Sequence, residues 1–139
     1  MSTSTDIACA CGDVRVRLEG APDIAFYCHC DDCQAVSGGA YVSVALFPKS
    51  AVTVLQGTLE TWKLRALPRH RCARCGIQVF AEATAFDQIG VNGARLPPGV
   101  SKPAFHIQCR YAVNPVVDDL PHYADAPTDF GGSGNTIGW

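Results

Sequence analysis

The chain has 139 residues, of which 47% are hydrophobic and 17% charged, and its formal net charge is −2 at pH 7. These values indicate one globular domain and exclude a disordered chain. They provide no basic surface, so we expect neither nucleic acid nor an anionic membrane as a partner. No apolar run reaches the roughly 18 residues of a membrane span, and the N-terminus predicts no secretion signal. We therefore expect a cytoplasmic protein.

Strand patterns dominate the chain and helix patterns are scarce. Asp13–Leu18 alternates apolar and charged residues, which predicts a half-exposed strand, and Ala40–Phe47 predicts a buried one. Between them, Asp31–Val36 predicts one helical turn with Asp31 as its N-cap, ended by Gly38. Further short or extended segments are predicted at Val52–Leu55, Leu59–Leu64, Ile77–Ala81, Ile89–Val91 and Phe105–Tyr111.

The C-terminal end of the chain differs in composition from the rest. Residues 129–139 are rich in glycine and serine, which predicts a flexible tail. A frayed Trp139 is favoured over a docked one. We therefore expect a single domain over residues 1–128, followed by the tail at 129–139.

The eight cysteines are the main chemical signal of the sequence. In a reducing cytosol, clustered cysteines are more often metal ligands than disulfides, and C-x-C neighbours bridge poorly. Seven of them form a C-x-C-G, a C-x-C-x-x-C and a C-x-x-C-G motif, while Cys109 stands alone and is expected in a strand. The motif cysteines are Cys9 and Cys11, then Cys28, Cys30 and Cys33, then Cys72 and Cys75.

The first and third motifs together predict one closed zinc site. A tight turn brings two sulfurs within reach of one ion, and the glycine after the second cysteine permits left-handed backbone. Two such half-sites supply the four thiolates of a structural zinc: Cys9, Cys11, Cys72 and Cys75. Three cysteines then remain in the middle motif, and three protein ligands leave a coordination position open, as in catalytic zinc sites.

Several alternatives for the middle motif stay open at this point. A fourth protein ligand would close the site, and the candidates are His29, Asp31, Asp32, His70, His106 and His122. One cysteine could also belong to the other of the two sites than the one to which it is assigned here. The basic residues around the third motif, Arg69, Arg71 and Arg74, either offset the thiolate charge or are ordinary surface residues.

These motifs resemble the glutathione-dependent formaldehyde-activating (GFA) family, which also includes centromere protein V. The resemblance is carried by Cys9–Arg15, Cys28–Gly38 and Cys72–Gly76, and more loosely by Asp118–Tyr123. It implies an Mss4-like fold of twisted antiparallel sheets (a β-tent) stapled by zinc, with little helix. It also implies two zinc ions, a structural one on Cys9, Cys11, Cys72 and Cys75 and a catalytic one on Cys28, Cys30 and Cys33.

The activity implied by the resemblance is that of a carbon–sulfur lyase. Such an enzyme adds glutathione to formaldehyde and yields S-(hydroxymethyl)glutathione, so a small thiol is the expected partner. The segment Cys109–Val117 lacks the tryptophan that the family pattern suggests, which leaves the thiol and the carbonyl substrate open. The three-ligand zinc is expected to be lost more easily than the four-cysteine one.

Residues for proton transfer and substrate binding are only candidates at this stage. His29, Asp31 and Asp32 could move a proton or support the zinc ligands. Donors for the carboxylates of glutathione could come from the Ser37-Gly38-Gly39 turn or from Lys63, Arg65, Arg95 and Lys102.

Other classes of function compete with the enzyme. The first is a zinc-stapled interaction module without chemistry; the others are an enzyme for a different thiol adduct and a redox role for the middle cysteines. The sequence leaves the oligomeric state open, with a homodimer as one option.

Overall fold

The computed structural model describes residues 3–139; Met1 and Ser2, at the start of the predicted domain, lie outside the described residues. Within this range the chain forms ten strands and a single α-helix, which confirms the mainly β fold class. The strands are β1 (Ser4–Ala8), β2 (Arg15–Glu19), β3 (Ile24–Cys28), β4 (Val42–Pro48), β5 (Val52–Gln56), β6 (Leu59–Lys63), β7 (Pro68–Cys72), β8 (Gln78–Ala83), β9 (Gln88–Asn92) and β10 (His106–Ile107). The helix α1 spans Asp31–Ser37. In residues 3–139 no helix is long and apolar enough to cross a bilayer.

The strands form two sheets that enclose one core. The smaller sheet has the order β1-β2-β5 and the larger one the order β10-β3-β4-β9-β8-β7-β6. Strand pairs are antiparallel except β10 and β3, which run parallel. Side chains of β1 and β2 pack with those of β4, β8 and β9 in a single buried cluster. Non-directional burial of this apolar area is the main force that holds the two sheets together.

Side-chain patterning explains the positions of β2 and β4. In β2, Val16 and Leu18 are buried while Arg15, Arg17 and Glu19 face solvent, as expected for a strand with one wet face. By contrast, β4 lies between β3 and β9 inside the larger sheet, and its run Ala45–Phe47 is buried throughout. Both predicted strands are thus confirmed, with boundaries shifted by one or two residues.

Three local predictions are corrected by the structure. The N-cap of α1 is Cys30 and not Asp31, because the Cys30 sulfur accepts a hydrogen bond from the Cys33 N–H at 3.3 Å. The extended segment predicted at Phe105–Tyr111 is a strand only at His106–Ile107. Cys109 therefore lies in a 3₁₀ turn, where it is buried, and not in a strand.

The C-terminal segment has a defined course over the protein. The Ile137 N–H donates to the His122 carbonyl at 2.9 Å, and the Trp139 indole N–H donates to the Val116 carbonyl at 3.0 Å. Trp139 is thus docked, contrary to the frayed end favoured by the sequence. Whether residues 129–139 are mobile in solution stays a prediction.

Gly57, in the turn between β5 and β6, packs closely against the backbone of residues 13 and 14. Its φ is +92°, and a Cβ there would lie 2.7 Å from the Val14 Cα and would also collide with the Asp13 carbonyl. Gly57→Ala is expected to lower the free energy of unfolding by at least about 2–3 kcal/mol, because left-handed strain adds to a backbone clash. Urea unfolding of the metal-loaded protein measures the loss.

The matched control for Gly57 is Gly20→Ala. Gly20 has a φ of +74°, but a Cβ there meets nothing within 4 Å, so only the conformational cost of about 1–2 kcal/mol applies. Equal losses in the two variants would contradict the predicted backbone clash at Gly57.

Candidate metal centres

The first candidate centre joins two turns that are far apart in the sequence. Cys9 and Cys11 lie in the turn after β1, while Cys72 ends β7 and Cys75 follows in the turn before β8. Each turn ends in a glycine with left-handed backbone, Gly12 at φ +80° and Gly76 at φ +78°. The Gly12 N–H donates to the Cys9 carbonyl and the Gly76 N–H to the Cys72 carbonyl, so both turns have the same closure. The structure thus brings these four predicted cysteines together.

The sulfur geometry of this cluster suits zinc. The Cys9 and Cys11 sulfurs are 3.6 Å apart, and those of Cys11 and Cys72 are 3.7 Å apart. Tetrahedral zinc with Zn–S bonds of about 2.3 Å requires sulfurs about 3.8 Å apart. All four sulfurs lie within 4.8 Å of one another. The donor set therefore fits a closed four-thiolate zinc site.

Backbone N–H groups stabilise negative charge on these sulfurs. Val14 N–H donates to the Cys9 sulfur at 3.2 Å, and the N–H groups of Arg74 and Cys75 donate to the Cys72 sulfur at 3.3 and 3.4 Å. A backbone hydrogen bond from Ile77 is the main reason why the pKa of Cys75 is lowered to about 6. The pKa of Cys9 is also lowered, whereas at Cys11 a backbone hydrogen bond from Asp13 is outweighed by burial and by the hydrogen bonds with the other cysteines, which raise the pKa of Cys11 to about 11. The turns thus favour the thiolate, the form in which cysteine binds zinc, at Cys9 and Cys75.

The second candidate centre is built by the end of β3 and the start of α1. Cys28 is the last residue of β3, Cys30 caps α1, and Cys33 lies in its first turn. Their sulfurs lie within 4.8 Å of one another. Cys28 is buried, and Cys30 and Cys33 are partly buried. A strand that runs directly into a capped helix therefore places three thiols around one point.

Hydrogen bonds among the three thiols localise charge on Cys30. Hydrogen bonds from Cys28 and then Cys33 lower the pKa of Cys30 to about 3. The hydrogen bond to Cys30 is also the main cause that raises the pKa of Cys28 well above its ordinary value. Cys28 lowers the pKa of Cys33, but Cys30 and burial outweigh this and raise it to about 12. Negative charge in this cluster is therefore centred on Cys30, and zinc, which binds cysteine as thiolate, would favour deprotonation of the other two.

Within residues 3–139, no histidine or carboxylate joins the three sulfurs in one cluster at ligand distance. Both predicted aspartates form ion pairs with Arg65, Asp31 at 2.9 Å and Asp32 at closer range. The Nε2 atom of His70 instead lies 2.9 Å from a Glu82 carboxylate oxygen. The candidate fourth ligands at His106 and His122 contact Asp118. The alternative of a protein-closed second centre is therefore not supported by these contacts.

His29 lies between two of the three cysteines but faces a different environment. It is fully buried, its Nε2 atom lies 2.8 Å from the His106 Nδ1 atom, and its own Nδ1 has no partner among the described residues. Burial, followed by the charge of neighbouring histidines, lowers the pKa of His29 to about 4. His29 is therefore neutral at pH 7.

Arg69 is a buried arginine near the second centre, and the sequence alone does not distinguish it from Arg71 and Arg74. It is only 5% exposed, and its guanidinium donates to the Gln78 side chain at 3.3 Å. After the hydrogen bonds among the thiols, its charge is a further influence that lowers the pKa of Cys30 and of Cys33. Arg71 and Arg74 are exposed by comparison, so Arg69 is the arginine of this group that offsets thiolate charge from a buried position.

The predicted donors for a substrate carboxylate are mostly engaged elsewhere. The N–H groups of Gly38 and Gly39 bond to the Gln34 carbonyl and the Ser37 hydroxyl, so the turn caps α1. Arg95 Nε–H donates to the Ala8 carbonyl at 3.0 Å, and Arg65 is paired as described above. Lys102 lines a separate 420 Å³ cavity beside β3, and Lys63 ends the exposed edge strand β6.

A cavity of 260 Å³ lies beside the helix that carries Cys33. Ala35 and Val36 of α1 form part of its lining, and the rest comes from strands of the larger sheet and the segments that follow them: Trp62, Leu64, Arg71, Gly76 and Gln78. The Arg71 guanidinium lies 4.9 Å from the centre of the Trp62 ring. A mixed apolar and cationic lining of this kind suits a small molecule with an acidic group.

The fold and the two cysteine clusters define a mainly β protein of a zinc-binding class. The sequence profile of the family described as glutathione-dependent formaldehyde-activating enzyme (GFA) matches residues 4–110, which is most of the chain. The chain belongs to this family, as the cysteine motifs indicated.

A solved structure supports the fold independently. A crystal structure of a Rhodobacter sphaeroides protein superposes with a TM-score of 0.54 at 24% identity, and the match covers 70% of this chain and 91% of that chain. At this level of identity the likeness concerns the fold alone.

Proposed function

We propose that the protein is a zinc-dependent carbon–sulfur lyase that adds a thiol, glutathione or a relative, to formaldehyde or another small carbonyl. The observation that carries the proposal is the second cysteine cluster, whose three sulfurs have no fourth protein donor among residues 3–139. Three-ligand zinc is typical of catalytic sites. In this proposal Cys9, Cys11, Cys72 and Cys75 hold a structural zinc, and Cys28, Cys30 and Cys33 hold the catalytic one.

Zinc at the three-cysteine centre would lower the pKa of a bound thiol and keep it as a thiolate at neutral pH. In the reaction an S–C bond forms, the π bond of the carbonyl breaks, and the thiol proton ends on the former carbonyl oxygen. The product of glutathione and formaldehyde is then S-(hydroxymethyl)glutathione, with no oxidant or reductant required.

Side chains and backbone groups around this centre fix the position of its turn and add a positive charge close to the thiolates. The Cys33 N–H fixes the Cys30 sulfur at 3.3 Å, and Gln34 donates to the His29 carbonyl at 2.8 Å, so the turn is braced from both sides. Buried Arg69 adds a fixed positive charge near the thiolates. We propose the 260 Å³ cavity beside α1 for the body of the thiol. Arg71 in its lining pairs with Glu60 at 3.1 Å, and a substrate carboxylate would share or replace that partner.

The chemistry also supports a reducing compartment for the protein. None of the eight cysteines is in a disulfide, and oxidation of either cluster would remove zinc ligands. We therefore propose the cytoplasm as its location.

A glutathione titration of cobalt-substituted protein tests the function. Glutathione is expected to add sulfur-to-cobalt charge transfer at the three-cysteine centre only, and exchange NMR with ¹³C-formaldehyde should show faster adduct formation than without protein. A protein with two bound ions but no optical or kinetic response to glutathione would contradict the proposal and favour the non-catalytic module.

Arg69→Gln is expected to weaken zinc binding at the three-cysteine centre by roughly 10–100-fold, the range seen for groups that support metal ligands. The reason is the loss of the buried positive charge near Cys30 and Cys33. Competition with a chelating dye measures the affinity.

Arg69→Lys and Arg74→Gln are the controls for this effect. The lysine variant keeps the charge and should recover most of the affinity, while Arg74 is exposed and its loss should change little. Equal weakening by the Arg69→Gln and Arg69→Lys variants would assign the effect to packing instead of charge.

A further inference from the structure

A third cluster of ligand-type side chains lies outside both cysteine centres. It consists of His106, Asp118 and His122, whose nitrogen and oxygen atoms lie within 4.8 Å of one another. His106 Nε2 lies 2.7 Å from one oxygen of Asp118, and His122 Nε2 lies 2.9 Å from the other. One carboxylate thus joins two imidazoles that approach it from different parts of the chain.

Backbone pairing holds the two histidines side by side. The His106 N–H donates to the Pro121 carbonyl and the Tyr123 N–H to the His106 carbonyl, both at 2.9 Å. Asp118 is fixed as well, because its second oxygen accepts the Leu120 N–H at 3.1 Å. Backbone hydrogen bonds therefore fix the relative positions of the three residues in this cluster.

Aromatic side chains shield the cluster on several sides. His106 is fully buried, and its ring centre lies 4.9 Å from that of Tyr27. The Trp139 ring lies 4.6 Å from that of His122. Asp118 keeps 27% of its side-chain exposure and His122 keeps 14%, so solvent reaches the cluster along these two residues.

His29 completes the arrangement behind His106. The His106 Nδ1 atom lies 2.8 Å from His29 Nε2, in a buried contact. When a ligating histidine uses one nitrogen for a metal, its other ring N–H donates a hydrogen bond to a neighbouring acceptor. The neutral His29 ring is placed to accept this hydrogen bond from His106 Nδ1–H at its Nε2 atom, which leaves His106 Nε2 free as a ligand.

We propose that His106, Asp118 and His122 form a third metal site, for a divalent first-row transition ion such as zinc. Two imidazole nitrogens and one carboxylate are a donor set that such ions accept, with the remaining positions left to water. Bonds of about 2.1 Å place tetrahedral ligand atoms about 3.4 Å apart, so the present contacts of 2.7 and 2.9 Å need to open by only about 0.5–0.7 Å. The ion would pin residues 118–122, on which the Trp139 ring packs through His122, to β10, which pairs with β3, the strand that ends at Cys28.

Metal stoichiometry of reconstituted protein tests this site. Wild type and His122→Ala are loaded with Zn²⁺ or Co²⁺ under reducing conditions, and bound metal is counted by elemental analysis after gel filtration. His122→Ala is expected to bind one ion fewer than wild type. Sulfur-to-cobalt charge transfer, which reports only the cysteine centres, is expected to be equal in the two proteins.

His70→Ala is the matched control, because His70 contacts the Glu82 carboxylate at 2.9 Å but belongs to no cluster of three ligands within residues 3–139. It should bind as many ions as wild type. Asp118→Asn serves as a second, nearly isosteric variant and should also bind one ion fewer. Equal stoichiometry in wild type, His122→Ala and Asp118→Asn would overturn the proposal and leave an ordinary hydrogen-bonded cluster, whatever the outcome at the cysteine centres.

Discussion

A Cys72→Ser variant is expected to lose its native tertiary structure even when zinc is supplied. Cys72 is fully buried, its sulfur accepts two backbone N–H groups, and it lies 3.7 Å from the Cys11 sulfur across 61 positions of sequence. Structural zinc contributes apparent free energies of about 10–16 kcal/mol in small domains, which equals or exceeds the whole stability of a typical domain at about 5–15 kcal/mol. Near-UV circular dichroism and zinc analysis measure the loss.

Cys109→Ala is the control for this first prediction. Cys109 is also buried, but it belongs to none of the metal-ligand clusters of residues 3–139. Its replacement should cost about 1 kcal/mol, within the range of an ordinary core substitution, and leave bound zinc unchanged. A Cys72→Ser protein with native chemical-shift dispersion would show that the two sheets hold without the four-cysteine centre.

Much of the fold could be predicted because apolar patterning is a local property of the chain. The alternation in β2 and the continuous buried run in β4 follow directly from their sequences. The strand β7 could not be predicted, since its sequence PRHRC begins with proline and contains three basic or imidazole residues. It becomes a strand because it pairs with both β6 and β8, which is information from distant parts of the chain.

In the candidate site, too, local features could be predicted from the sequence and long-range contacts could not. Cysteine spacing within each turn is local, and a count of ligands was enough to predict which cysteines the structure brings together. The contact between His29 and His106 spans 77 positions, and nothing in either local sequence predicts it. Burial separates Arg69 from its exposed neighbours Arg71 and Arg74, although all three look alike in the sequence.

A Cys30→Ser variant is expected to separate chemistry from stability. Cys30 caps α1, and serine is a favourable N-cap whose hydroxyl can accept the Cys33 N–H in place of the sulfur. A neutral hydroxyl does not replace a thiolate as a zinc ligand, so the three-cysteine centre loses a donor while its helix keeps its cap. The proposed thiol-dependent turnover should fall by at least about 100-fold, beyond the upper end of the effect of outer-shell groups, while the urea midpoint changes little.

Comparison with Cys30→Ala makes this prediction specific to the sulfur. Alanine removes both the ligand and the cap, so it should match the serine variant in lost turnover but add about 1 kcal/mol of instability. Equal stability of the two variants would mean that the cap contributes nothing. Retained turnover in Cys30→Ser would contradict the prediction. It would mean that Cys28 and Cys33 are enough to hold the zinc and that Cys30 is not a required ligand.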